Sequence, residues 1–93
     1  MAKSILQTEK ECFITGDTRN LHEHHIYPGT ANRRISERNG FKVWLRADWH
    51  NMADYGVHNN PELDQYLKRL CQREYEKTHS REEFMALIGR NYL

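Results

Sequence analysis

The stretch His22-Glu23-His24-His25-Ile26-Tyr27-Pro28 decides how the rest of this 93-residue chain is read. Three of the six histidines fall within four residues; His50 and His58 follow, and His79 stands alone near the end. Histidine serves both as a metal ligand and as a proton acceptor near neutral pH. A neighbouring pair offers both roles, one ring holding a cation while the next takes a proton from water. His24 and His25 are the candidates for that pair, with His50 as a partner from downstream. His22 and His79 read as ordinary polar positions.

Working outward, residues 21–27 fit a short strand that Pro28-Gly29 ends. Residues 33–38 allow a helical turn or two, and Asn39-Gly40 is a turn dipeptide. Residues 41–45 alternate apolar and polar side chains with aromatic and β-branched members, the pattern of a second strand. Asp48 is placed to cap a short helix carrying Trp49, His50 and Ala53, stopped by Gly56. Upstream, residues 3–15 read as extended, most strand-like at 12–15, with a turn over 16–20.

Downstream, Asn60 and Pro61 open a helix expected to reach about Thr78. Its apolar stripe is Leu63, Tyr66, Leu67, Leu70, Cys71 and Tyr75, so Cys71 reads as a buried core thiol. Ser80 and Glu83 form a capping box for a second helix that turns Phe84, Leu87 and Ile88 inward and ends at Gly89. The chain therefore reads as one small α+β domain over 1–93: a β-β-α unit within 12–60 and a helical hairpin over 61–93.

A mean hydropathy of −0.96 leaves no apolar run long enough for a membrane span. The N-terminus lacks an apolar core of signal-peptide length, and two cysteines do not make a secreted disulfide framework, so a reducing cytoplasm is expected. Net charge is only +1. Yet Arg33, Arg34, Arg38, Lys42 and Arg46 face a single acid, Glu37, over 33–46, a local patch suited to phosphates.

The order of paired histidines on a strand, a loop, a second strand and a short helix with His50 resembles the HNH endonuclease family. The likeness covers about residues 12–60. Gly56-Val57-His58-Asn59-Asn60-Pro61 and the helical tail are similar to small phage-encoded members. That resemblance implies a β-β-α-metal finger and hydrolysis of DNA phosphodiesters. His25 would be the general base, with His24 and His50 as metal ligands. His58 would be the third ligand, or else Asp54, which lies four residues after His50. One divalent ion is implied, magnesium, manganese, nickel or zinc, placed against the scissile phosphate. Arg33, Arg34, Arg38 and Lys42 would contact DNA, and phage packaging or recombination proteins are implied partners.

The chain departs from the family in two ways. Family members often carry two Cys-x-x-Cys pairs around a structural zinc; here the positions are Cys12 with Thr15 and Arg46 with Trp49, so no four-cysteine zinc cage is expected. Packing by Phe13, Trp44 and Trp49 is expected in its place. The asparagine that braces the catalytic histidine has its nearest counterpart in Asn39, ahead of Phe41. These departures keep an alternative open, a nucleic-acid-binding module that retains the finger without its chemistry. A metal-stabilised protein-interaction domain is a third reading. Glu23 is either a solvated acid or an orienting group for an imidazole.

Overall fold

The computed structural model describes residues 3–93; Met1 and Ala2, part of the N-terminal segment read above, lie outside the described residues. The order is β1 (Leu21–His25), α1 (Thr30–Asn39), β2 (Lys42–Arg46), a π-type turn (Asp48–Met52), a short 3-10 turn (Val57–Asn59), α2 (Pro61–Tyr75) and α3 (Arg81–Ile88). The fold is α+β, built on one two-stranded antiparallel sheet.

Strand pairing sets the faces. His22 pairs with Leu45, His24 with Val43, and His25 with Lys42. Because side chains alternate along a strand, His22 and His24 share a face with Val43 and Leu45, while Glu23 and His25 share the other with Trp44 and Lys42. Val43 and Leu45 are buried in the core, so His22 and His24 sit on the covered face of the sheet.

The chain between the strands is more ordered than 33–38 suggested. α1 runs for three turns and ends in left-handed Gly40, whose N–H returns to the Ser36 carbonyl. Gly40 is required twice over: its φ is +75°, and a Cβ there would lie 2.0 Å from the Lys3 carbonyl oxygen. Ser36 is fully buried, and its hydroxyl donates to the Tyr27 carbonyl and accepts from the Tyr27 N–H, tying α1 to the end of β1. Asn39 donates to the Ile35 carbonyl at 2.9 Å and so closes its own helix rather than bracing His25.

No strand forms at 12–15. Those residues make a turn in which the Gly16 N–H bonds the Cys12 carbonyl. The outer edge of β2 is instead satisfied piecemeal: the Trp44 N–H donates to the Gln7 side chain and the Phe13 N–H to the Trp44 carbonyl. Phe13 and Trp49 pack against the core as expected. Trp44 does not, its indole lying under the Lys10 ammonium at 4.5 Å.

Tyr27 anchors the core. Its ring meets Phe41 and Phe84 edge-on, and its hydroxyl donates to the Lys68 carbonyl at 2.7 Å. α2 starts as expected, with the Asn60 side chain accepting from the Leu63 N–H and Pro61 leading. It ends at Tyr75, three residues early, where the N–H groups of Lys77 and Thr78 tighten to carbonyls three residues back. Leu67, Cys71 and Tyr75 are buried; Tyr66, placed on the stripe above, is exposed. Both halves of the Ser80–Glu83 capping box are present in α3, and Gly89 is left-handed. The expected hairpin is modified, because α3 makes its principal helix contact with α1 rather than along α2.

Candidate metal centre

The short helix expected over 48–56 is a single π-type turn, and Ala53 is already extended. The reason lies at Asp48. Its carboxylate caps no helical N–H; Arg46 donates to it at 2.7 and 2.8 Å, and Tyr55 donates through its hydroxyl. Those hydrogen bonds, Arg46 first, hold the Asp48 carboxyl far below its usual range. The turn therefore delivers His50 and then reverses. Gly56 makes the reversal possible, since a Cβ there would lie 2.7 Å from the Asp48 carbonyl oxygen. The 3-10 turn that follows brings His58 back onto His50.

His24, His50 and His58 thus converge from β1, the π-type turn and the 3-10 turn, with one ring nitrogen of each within 4.8 Å of the others. Nε2 of His50 and Nε2 of His58 are 2.9 Å apart. His24 is 4% exposed, and its Nε2 is buried with no hydrogen-bond partner among the described residues. A buried ring nitrogen without a protein partner, facing two further imidazoles, suits coordination of a cation. His24 and His50 are kept neutral. Burial, then the neighbouring His50, His58 and His25, push His24 down to about 3; burial, then His58 and His22, push His50 down to about 4. Both lone pairs are therefore free to coordinate at neutral pH.

Asp54 is exposed on the turn and does not join the group; His58 takes the third place. His22, read from sequence as an ordinary position, belongs here. Its Nδ1 is 2.9 Å from Nδ1 of His50, the nitrogen opposite the one that faces His58. A metal-ligating imidazole characteristically donates its other N–H to an acceptor, and Nδ1 of His22 is placed to serve as one for His50. The signal was available, for His22 and His24 are two apart on a strand and share a face. His79 stacks on Tyr75 at 4.1 Å, away from the cluster.

His25 points to the opposite face, where its Nε2 is 2.8 Å from Glu37 Oε2 and 3.7 Å from Glu23 Oε1. Glu23, His25 and Glu37 also converge closely enough to hold an ion. The cation there is already part of the chain: Lys42 Nζ lies 2.9 Å from Glu37 and 3.5 Å from Glu23. Hydrogen bonding from Lys42, then from His25, lowers the Glu37 pKa. Glu23 is accordingly half-buried in an ion-pair network.

The basic patch divides. Arg33, Arg34 and Arg38 are exposed along α1. Lys42, expected to reach DNA, is only 6% exposed and committed to the two glutamates, so it presents no free charge to a phosphate. The reason is register: opposite His25, its side chain shares a face with Glu23 and reaches Glu37 of α1.

Although His24 and His25 point to opposite faces, β1 ends at His25, and one pocket of about 450 Å³ reaches both. It is lined by Glu23, His24, His25, Pro28, Gly29, Thr30, Arg33, His50 and His58. Cys12 and Cys71 are free and buried, and burial pushes the Cys71 thiol up to about 12. No helix among the described residues is long and apolar enough to cross a membrane. No family model matches this chain, and no curated protein or solved structure matches it.

Proposed function

We propose that this protein is a metal-dependent DNA endonuclease of the HNH type, with a β-β-α-metal core formed by β1, β2 and the turn bearing His50. The observation that carries the reading is the convergence of His24, His50 and His58 on one pocket with His25, the buried His24 Nε2 lacking a partner. The three imidazoles would hold one divalent ion. A bound ion would neutralise charge on the scissile phosphate and stabilise the departing 3′ oxygen. His25 accepts a proton from the attacking water, and Glu37 holds its ring. Arg33 at the pocket rim, with Arg34 and Arg38, meets the phosphate backbone.

The rival reading, a finger that binds nucleic acid without cutting it, draws on one observation: Asn39 closes α1 and leaves His25 without the family's brace. Nicking of supercoiled plasmid with magnesium, manganese, nickel or zinc, against a chelator control, separates the two. Metal-dependent nicking that disappears in His25→Ala supports the nuclease. DNA binding without nicking under any metal supports the rival, and equal nicking by parent and variant removes His25 as the base.

A further inference from the structure

The pocket that holds the histidines has a second wall, the N-terminus of α1. That terminus is left open. Gly29 precedes it at φ +102° and offers no side-chain cap, and the first turn carries no acid. The first hydrogen bond of the helix runs from the Arg33 N–H to the Gly29 carbonyl at 2.8 Å, so the N–H groups of Thr30, Ala31 and Asn32 have no acceptor within the helix. α2 and α3 contrast with it: Asn60 and Ser80 cap them, and each has acids in its first turn.

An uncapped terminus alone would be satisfied by water. Here it shares its pocket with His24, a side chain 4% exposed whose Nε2 lacks any partner, and with the exposed Arg33. The orphaned nitrogen and its two imidazole neighbours would hold a divalent cation. Thr30 and Arg33 line the same space, bringing to it the first turn of α1, the positive end of a helix dipole and a guanidinium. A cation on one wall and N–H donors on the other suit a ligand with several anionic oxygens.

We infer that the N-terminus of α1, through the amides of Thr30, Ala31 and Asn32 together with Arg33, is a phosphate-binding subsite that holds a DNA phosphodiester against the three-histidine centre. The inference rests on the nuclease reading for the identity of the phosphate. It adds a backbone donor set that the resemblance does not supply.

The discriminating substitution is Thr30→Asp. A carboxylate in the first turn favours the helix and repels phosphate, so it moves stability and binding in opposite directions. Arg73→Gln, exposed on α2 and outside the pocket lining, makes the same change in net charge. The full chain is first titrated with zinc alone, then, at one equivalent of zinc and also without it, with inorganic phosphate and with a short DNA duplex. Amide NMR follows residues 30–33. Saturable shifts at those amides are expected with both probes, tighter with zinc. Thr30→Asp should weaken them about tenfold or more with no loss of Tm, and Arg73→Gln should leave inorganic phosphate nearly unchanged. Silent amides, shifts that survive Thr30→Asp, or an equal effect of Arg73→Gln overturn the subsite. A response to inorganic phosphate but not to DNA overturns its assignment to a phosphodiester. Absence of zinc binding overturns the metal centre separately, because the zinc-free amide shifts still report on the helix terminus.

Discussion

Nε2 of His25 stands 2.8 Å from Oε2 of Glu37, and an ionised carboxylate can only accept. His25 therefore donates from Nε2, and in the neutral ring the free lone pair is on Nδ1. Lys42 bonds the other Glu37 oxygen at 2.9 Å, so glutamate and lysine together fix the ring.

Glu37→Ala should therefore lower metal-dependent nicking by about tenfold or more, part of the roughly 10²–10⁴ that a positioned base contributes. It should also cost about 1–3 kcal/mol in urea unfolding, because buried Lys42 loses its nearest partner. Adding Lys42→Met should recover stability without recovering nicking. Recovery of both would reduce Glu37 to a structural role.

The third ligand is tested by a pair of substitutions. His58→Ala should weaken zinc binding by about 10²-fold or more, whereas Asp54→Ala, on an exposed side chain outside the cluster, should bind zinc like the parent. Isothermal titration reads both, and the reverse order would return Asp54 to the site.

His22 acts through His50. His22→Ala should weaken zinc binding about 10- to 100-fold, the usual loss when an outer partner of a ligating histidine is removed. His22→Gln keeps a polar partner and should recover part of it. Unchanged affinity in both variants would mean that the 2.9 Å contact does not orient His50.

The metal-free protein should lose stability in acid, and the direction follows from linkage. His24 and His50 are pushed from 6.5 down to about 3 and about 4, so between those values the unfolded chain binds more protons than the folded one. Stability is fully present above pH 6.5 and declines as pH falls toward 4 and 3, at up to about 1.4 kcal/mol per pH unit for each group. Urea midpoints across pH 7 to 4 measure it. His24→Phe, which cannot take up a proton, should flatten the profile, and an unflattened profile would place the acid sensitivity elsewhere.

Much of the fold was legible in local chemistry. The alternation at 41–45, the Asn60-Pro61 start and the Ser80–Glu83 box each concern groups within four residues of one another, where sequence spacing and spatial distance nearly coincide. The misreadings came where that relation breaks. Asp48 has the composition of a cap, but Arg46 and Tyr55 take its carboxylate and the helix stops after one turn. Lys42 belongs to a basic run, but strand register puts it between Glu23 and Glu37. Residues 12–15 have the composition of a strand, yet the edge of β2 takes single bonds from Gln7 and Phe13 instead.

That histidines gather on a short strand and that two helices follow could be read from residue order, because periodicity, caps and turn residues act locally. Which histidines meet is settled by long-range packing. His22 and His24 lie on one face and His25 on the other by the pleat of β1, and His58 reaches His50 because Gly56 lets the backbone pass close to Asp48. That choice depends on contacts between segments up to 34 residues apart, from His24 to His58, which no local pattern encodes.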